Sequence, residues 1–250
     1  MKQYLFYILT LICLTACDSE KAPDCFQATG EIVSQTYDVD AFKRIIVWNR
    51  VQLFISQGPQ EIRVESGSNL IDEVLVRVED SILKVSDRNS CNFVRDYGVT
   101  KVYVTAPNVE EIQNSSGLPV ESIGVIRFPV LTLVSEDPLR EGVFHKDGDF
   151  IMHDLNVGSL LIRGNGLSNF YISGRAFNAN FAAIDGDVRI EAGNFEIQNL
   201  VIFHRSTNLI RVRPMNSIQG KIVSLGNVYA TNRPGLVDVE ELYQGRLIFE

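Results

Sequence analysis

Apolar triplets separated by turn residues recur between residues 148 and 230, and this pattern restricts the chain more than any other feature. The triplets include Phe150-Ile151-Met152, Leu160-Leu161-Ile162, Phe170-Tyr171-Ile172, Phe181-Ala182-Ala183 and Val188-Arg189-Ile190. They continue as Val201-Ile202-Phe203, Leu209-Ile210-Arg211-Val212, Gly220-Lys221-Ile222-Val223 and Asn227-Val228-Tyr229-Ala230. Gly, Asn, Asp and Ser fill the gaps. No stretch keeps the i, i+3, i+4 spacing of a buried helix face, so the pattern predicts short, evenly spaced strands in an all-β repeat.

Two interleaved series set the size of the repeat. Ile151, Tyr171, Ile190, Ile210 and Tyr229 lie about twenty residues apart, and Leu161, Phe181, Val201 and Lys221 form a second series offset by about ten. Such a unit cannot bury its inward side chains alone, and stacking the units does. The expected fold is therefore a parallel β-helix, or β-solenoid. Asn165-Gly166, Asp185-Gly186 and Gly226-Asn227 fall at the expected corners, where Gly or Asn supplies positive φ cheaply.

Before Pro107 the pattern is different. Residues 42–47 read as a strand, and residues 51–56 and 61–66 alternate strictly at period two. Residues 75–78 and 82–85 bracket a turn at Glu79-Asp80-Ser81, and residues 69–74 suit a helical turn capped by Ser68 or Asn69. This region reads as alternating, antiparallel-like strands leading into the solenoid. Leu247-Ile248-Phe249 reads as a last strand or cap. No low-complexity linker divides the two regions, so residues 36–250 are expected to form one domain.

The N-terminus carries the most specific motif. Lys2 precedes an apolar run at residues 4–13, too short to span a bilayer, which takes about 20 residues. Leu14-Thr15-Ala16-Cys17 follows, resembling a bacterial lipobox. Residues 1–16 then form a lipoprotein signal peptide, Cys17 is the lipid attachment site, and residues 17–35 are tether and arm. Acylation at Cys17 would hold the domain on a membrane without a spanning helix, each buried CH₂ adding about 0.8 kcal/mol. The alternative is an ordinary signal cleaved near Ala16 or an uncleaved anchor. Of four cysteines, Cys25 and Cys91 would remain free to form a disulfide in an oxidising compartment, the alternative being two separate thiols.

Composition narrows the function. The net charge is −8 with no basic cluster, which makes nucleic acid a poor partner. His145, His153 and His204 lack the tight pairing of a zinc site, so no metal or other cofactor is expected. Asp147-Gly148-Asp149 and Asp185-Gly186-Asp187 could line one edge, as in polysaccharide lyases and hydrolases on parallel β-helices, with Arg163 or Arg189 as clamps. Asp-Gly is also a common turn dipeptide, and turns recur here every ten residues. No catalytic residue is assigned. Aromatic side chains are the better lead: Trp48, the single tryptophan, and Phe93 and Tyr97 on the Cys91 loop are the candidate ligand contacts. Trp48 should lie on the wetter face of its strand, open to a sugar or covered by the N-terminal arm.

Phe42-Lys-Arg-Ile-Ile-Val47, Val51-Gln-Leu-Phe-Ile-Ser-Gln-Gly58 and Glu61-Ile-Arg-Val-Glu-Ser-Gly67 also carry a family resemblance. It continues through Asn69-Leu-Ile-Asp-Glu-Val74, Ile82-Leu-Lys-Val85, Cys91-Asn-Phe-Val-Arg95 and Val102-Tyr-Val-Thr-Ala-Pro107. The chain resembles the putative auto-transporter adhesin, head GIN domain family of Bacteroidetes envelope lipoproteins, from about residue 36 to its end. That family repeats Gly-Ser-Gly at its corners; here only Ser116-Gly117, Gly164-Asn165-Gly166 and Asp185-Gly186 are comparable. The resemblance implies a β-helical domain outside the cytoplasm with no established enzymatic activity. The expected partners are a membrane, through the lipid anchor, and a glycan or envelope protein. The alternative is a polysaccharide-active enzyme on the same architecture. Radiolabelled palmitate should enter the full-length protein and should not enter Cys17→Ala; equal labelling of both would remove the lipobox assignment.

Overall fold

The computed structural model describes residues 26–89, 96, 98–136 and 145–250. Cys17, Cys25, Cys91, Phe93 and Tyr97 lie outside the described residues. The architecture is all-β: one nearly closed sheet of mixed strands wrapped around one core.

The first strands are β1 (Ile32–Tyr37), β2 (Arg44–Trp48), β3 (Gln52–Gln57) and β4 (Glu61–Gly67). A 3-10 turn at Ile71–Glu73 leads into β5 (Val74–Glu79), β6 (Ile82–Asp87), β7 (Lys101–Ala106), β8 (Glu111–Ser115), β9 (Val120–Ser122) and β10 (Val130–Ser135). Four long strands follow, β11 (Phe150–Gly164), β12 (Asn169–Ala183), β13 (Arg189–His204) and β14 (Ile210–Ile222), in place of the short strands expected every ten residues: one strand runs through both 150–152 and 160–162, and the next through both 170–172 and 181–183. The chain closes with β15 (Val228–Ala230), β16 (Leu236–Glu241) and β17 (Leu247–Phe249).

From β8 onward every pairing among the described residues is parallel, and β11, β12, β13 and β14 pair in succession. Equivalent side chains therefore stack strand over strand. Phe150, Phe170, Ile190, Ile210 and Val228 form one inward column, and Ile162, Phe181 and Ile202 another, all essentially inaccessible. The Phe150 and Phe170 rings stack 4.9 Å apart and nearly parallel, a separation that matches the strand spacing itself. Each fully buried Phe stabilises the fold by about 1.5–3 kcal/mol.

The register differs in detail from the twenty-residue reading. The spacing is 20 residues at Ile151↔Tyr171, 19 at Leu155↔Gly174, 21 at Phe181↔Ile202 and 18 at Ile202↔Gly220. Irregularities after Met152, Tyr171 and Ala192 absorb the changes. Ile151 is thus in register with Tyr171, Glu191, Arg211 and Tyr229, whereas Ile190 and Ile210 belong to the adjacent inward column. Likewise Leu161 aligns with Asn180, Val201 and Gln219, and Phe181 does not share its row. Both predicted series mix the two faces. A one-residue slip reverses a strand side chain's direction, and a constant period cannot follow a bulged ladder.

The N-terminal strands also depart from the antiparallel-like reading. Strand β2 pairs in parallel with β6 and β8, and β3 in parallel with β7 and β9. Among the described residues only β1–β4, β4–β7 and β5–β6 are antiparallel. Strict alternation reports one buried face and leaves the partner's direction open. The β5–β6 hairpin sits where expected, with Asp80 and Ser81 both at positive φ. The 3-10 turn has Leu70 at its N-cap and no side-chain cap. Asn69 instead donates from Nδ2 to the Ala28 carbonyl (3.0 Å), and Gln27 donates to the Asn69 carbonyl (2.8 Å).

The corners after each long strand repeat one hydrogen-bond pattern. Asp187 N–H donates to Gly166 O (2.9 Å), Thr207 N–H to Gly186 O (3.0 Å) and Gly226 N–H to Ser206 O (3.2 Å). Gly186 takes positive φ, as its sequence context predicts. Gly226 is needed for a different reason: a Cβ there would lie 1.8 Å from the Asn208 carbonyl oxygen and 2.5 Å from His204 Nε2. Gly226→Ala should cost about 2–4 kcal/mol and lower the thermal midpoint by roughly 5–15 °C, followed by circular dichroism; an unchanged midpoint would mean that the corner can open without loss.

Candidate functional site

The sheet offers two outward surfaces, and each strand contributes alternate side chains to them. The first surface is built on β3 and β7 and continues over the start of β11 to β14. Its central row reads Arg63, Tyr103, Phe54, Glu121, Ile151, Tyr171, Glu191, Arg211, Tyr229 and Ile248. Stacking uses up its aromatic faces: Phe54 and Tyr103 lie 4.9 Å apart at 12°, and the Arg63 guanidinium covers the Tyr103 ring at 4.0 Å. Arg63 also pairs with Glu65, and this hydrogen bond holds the Glu65 carboxyl below the usual range. Partial burial, and then the hydrogen bond to Glu65 at 3.1 Å, raises the Tyr103 hydroxyl. Arg189 and Arg211 both approach Glu191, and Arg211 reaches Glu250 at 3.3 Å. The rings at outward positions were visible in the alternation; their mutual stacking was not.

The second surface is built on β2, β8 and β10 and continues over the ends of β11 to β14. Trp48 belongs here. It faces outward and is half-buried, in register with Ser86 and Ser115. The arm strand β1 pairs with β4, while β2 lies between β6 and β8. In the next outward rows Arg44, Glu111, Thr132, Leu161, Asn180 and Val201 follow one another, beside Ile46, Gln113, Val134, Arg163, Ala182 and Phe203. A cavity of about 470 Å³ opens where this surface begins, lined by Arg44, Asn108, Glu110, Glu111, Pro129, Val130 and Thr132.

The residues of the carbohydrate-enzyme reading are engaged elsewhere. Asp149 accepts the Asn169 backbone N–H (2.8 Å) and Nδ2 (2.9 Å). Asp187 accepts Thr207 Oγ1 (2.6 Å) and Asn208 Nδ2 (3.1 Å), and Asp185 accepts the Gly186 N–H (2.9 Å). Arg163 pairs with Glu136 at 2.5 Å and Arg189 with Glu191. His145 lies 3.9 Å from Asp147, and His153 3.7 Å from Glu121. Among the described residues no three His, Cys, Asp or Glu side chains are grouped to hold a metal ion.

His204 is the exception among the histidines. It ends β13 pointing inward, fully buried, and neither ring nitrogen makes a well-formed hydrogen bond among the described residues. Burial pushes its pKa down to about 4, against the opposing effect of nearby backbone groups of Asn208 and Gly226. The ring is therefore neutral when folded and titrates near 6.5 when unfolded, so the unfolded chain binds the extra proton between those values. Stability should be full above pH 6.5 and fall by about 3 kcal/mol as pH drops towards 4. Urea unfolding at pH 7 and pH 4.5 checks this, and His204→Leu should flatten that part of the slope.

Comparison with known proteins places this geometry. The family model described as putative auto-transporter adhesin, head GIN domain, matches residues 41–234. No curated protein matches the chain. Among solved structures, one from Bacteroides fragilis described as a putative adhesin has a TM-score of 0.78 at 17% identity, covering 89% of this chain and 99% of its own. A putative adhesin from Parabacteroides merdae has a TM-score of 0.63 at 14% identity, over 89% of this chain and 98% of its own. A putative lipid binding protein from Parabacteroides distasonis has a TM-score of 0.55 at 14% identity, over 88% and 98%. At these identities the likeness is one of fold.

Proposed function

Since this chain belongs to the family described as putative auto-transporter adhesin, head GIN domain, we propose that it is a non-enzymatic surface-contact protein of the cell envelope, anchored by lipid at Cys17. Its segments of about twenty residues act as the coils of a β-solenoid that holds two broad outer faces away from the membrane. The observation that carries the reading is the succession of parallel pairings from β8 to β17. Side chains recur there about every 4.8 Å along the stack. A surface of that kind suits an extended partner, glycan chain or envelope protein, which can touch many rows at once. The fates of Asp149, Asp187, Arg163 and Arg189 support the same reading, because each already serves a corner or an ion pair.

Trp48 belongs to the contact face in this proposal, as do Phe93 and Tyr97 beyond the described residues. A disulfide between Cys25 and Cys91 would tie the arm to the head. The test is adherence. Beads carrying the protein from Cys17 to Glu250 should bind envelope preparations or immobilised polysaccharide above the level of beads carrying an unrelated acidic protein, and Trp48→Ala should reduce capture several-fold. Depolymerisation of the polysaccharide, or capture no better than the control, would overturn the proposal.

A further inference from the structure

The cavity at the start of the second surface holds polar side chains whose bonding capacity the chain leaves unused. Arg44 and Glu111 are direct register partners on adjacent parallel strands, about 4.8 Å apart at the backbone. Opposite charges so placed usually pair, and elsewhere on these faces they do: Lys43 with Glu110 at 3.0 Å, Lys221 with Glu240 at 3.2 Å, Arg163 with Glu136. Among the described residues Arg44 and Glu111 make no ion pair, with each other or with any neighbour. Thr132, the next residue in the row, has no side-chain hydrogen bond there either, and Asn108 Oδ1 is buried without a partner. All four line the same cavity of about 470 Å³, beside the apolar groups of Pro129 and Val130, the latter 50% exposed.

Arg44, Glu111 and Thr132 leave donors and acceptors without an intramolecular partner beside the cavity, so a polar occupant is favoured. We propose that this cavity binds one uncharged saccharide residue of a longer glycan, with Arg44, Asn108, Glu111 and Thr132 engaging its hydroxyls and Pro129 and Val130 meeting its C–H face. The chemistry selects this class. Vicinal hydroxyls donate to Glu111 while accepting from Arg44 and from Asn108 Nδ2, so one ring satisfies groups of opposite demand. The charges lining and flanking the cavity cancel, Lys43 and Arg44 against Glu110 and Glu111, so a strongly charged ligand gains no net attraction. The volume lies within the usual range of small-ligand sites. The cavity is open to the outer surface, where the rest of a chain can continue along the rows. The inference rests on the surface-contact reading and narrows it to a site.

The test is an array of neutral hexose- and N-acetylhexosamine-terminated oligosaccharides, with sulfated oligosaccharides and free dipeptides as separate arms. At least one neutral oligosaccharide should bind the wild-type protein. Glu111→Gln and Asn108→Ala should each weaken it about tenfold, the size expected for one lost hydrogen bond to a charged or buried group. Neither variant should lower the thermal midpoint, because neither side chain has an intramolecular partner to lose. Binding that survives both substitutions, binding confined to the sulfated or dipeptide arm, or no binding on the array would each overturn the inference. Adherence of beads that persists in both variants would retain the surface-contact reading while removing this site from it.

Discussion

Parallel register is the constraint on which the rest of the molecule depends. Once β11, β12, β13 and β14 are hydrogen-bonded side by side in parallel, residues outside the bulges sit over their equivalents in the neighbouring segment. The inward columns then become continuous apolar stacks, such as Phe150 on Phe170 and Phe181 between Ile162 and Ile202. The same register brings corner upon corner. That leaves no room for a side chain at Gly226, and it turns short polar side chains into braces: the Ser135 and Ser168 hydroxyls share a 2.5 Å hydrogen bond, and Ser206 donates to the Val188 carbonyl at 2.8 Å. No segment could bury its inward face alone.

On the outside the same geometry decides which side chains remain available. Charges on neighbouring strands find each other, as Glu191 and Arg211 do, and aromatic rings on neighbouring strands stack. Exposed pairs of this sort add only about 0–1 kcal/mol each. Their larger effect is to saturate groups that would otherwise meet a ligand: Arg63 and Phe54 cover the two faces of Tyr103, and Glu136 holds Arg163. Against that background the unpaired Arg44 and Glu111 stand out, because register alone would have joined them.

Much of this was legible in the chain. The triplets at 150–152, 160–162, 170–172 and 181–183 are strand, Asp185-Gly186 is a corner, and Glu79-Asp80-Ser81 turns a hairpin. Other parts were hidden for physical reasons. Bulges shift the repeat between 17 and 21 residues, so Ile190 and Tyr171 looked equivalent and face opposite ways. Strand β16, Leu-Val-Asp-Val-Glu-Glu, carries too little apolar weight to announce itself. The cavity was invisible because Arg44, Asn108, Glu111 and Thr132 come from three strands and a turn, and no local pattern joins residue 44 to residue 132.

By itself the sequence determined that the chain is all-β and that its corners need Gly, Asn, Asp and Ser, because these properties follow from side-chain periodicity and local backbone preference. Only the tertiary structure decided strand direction, exact register, the burial of His204 and the assembly of the cavity, because each depends on which distant segment supplies the neighbouring row.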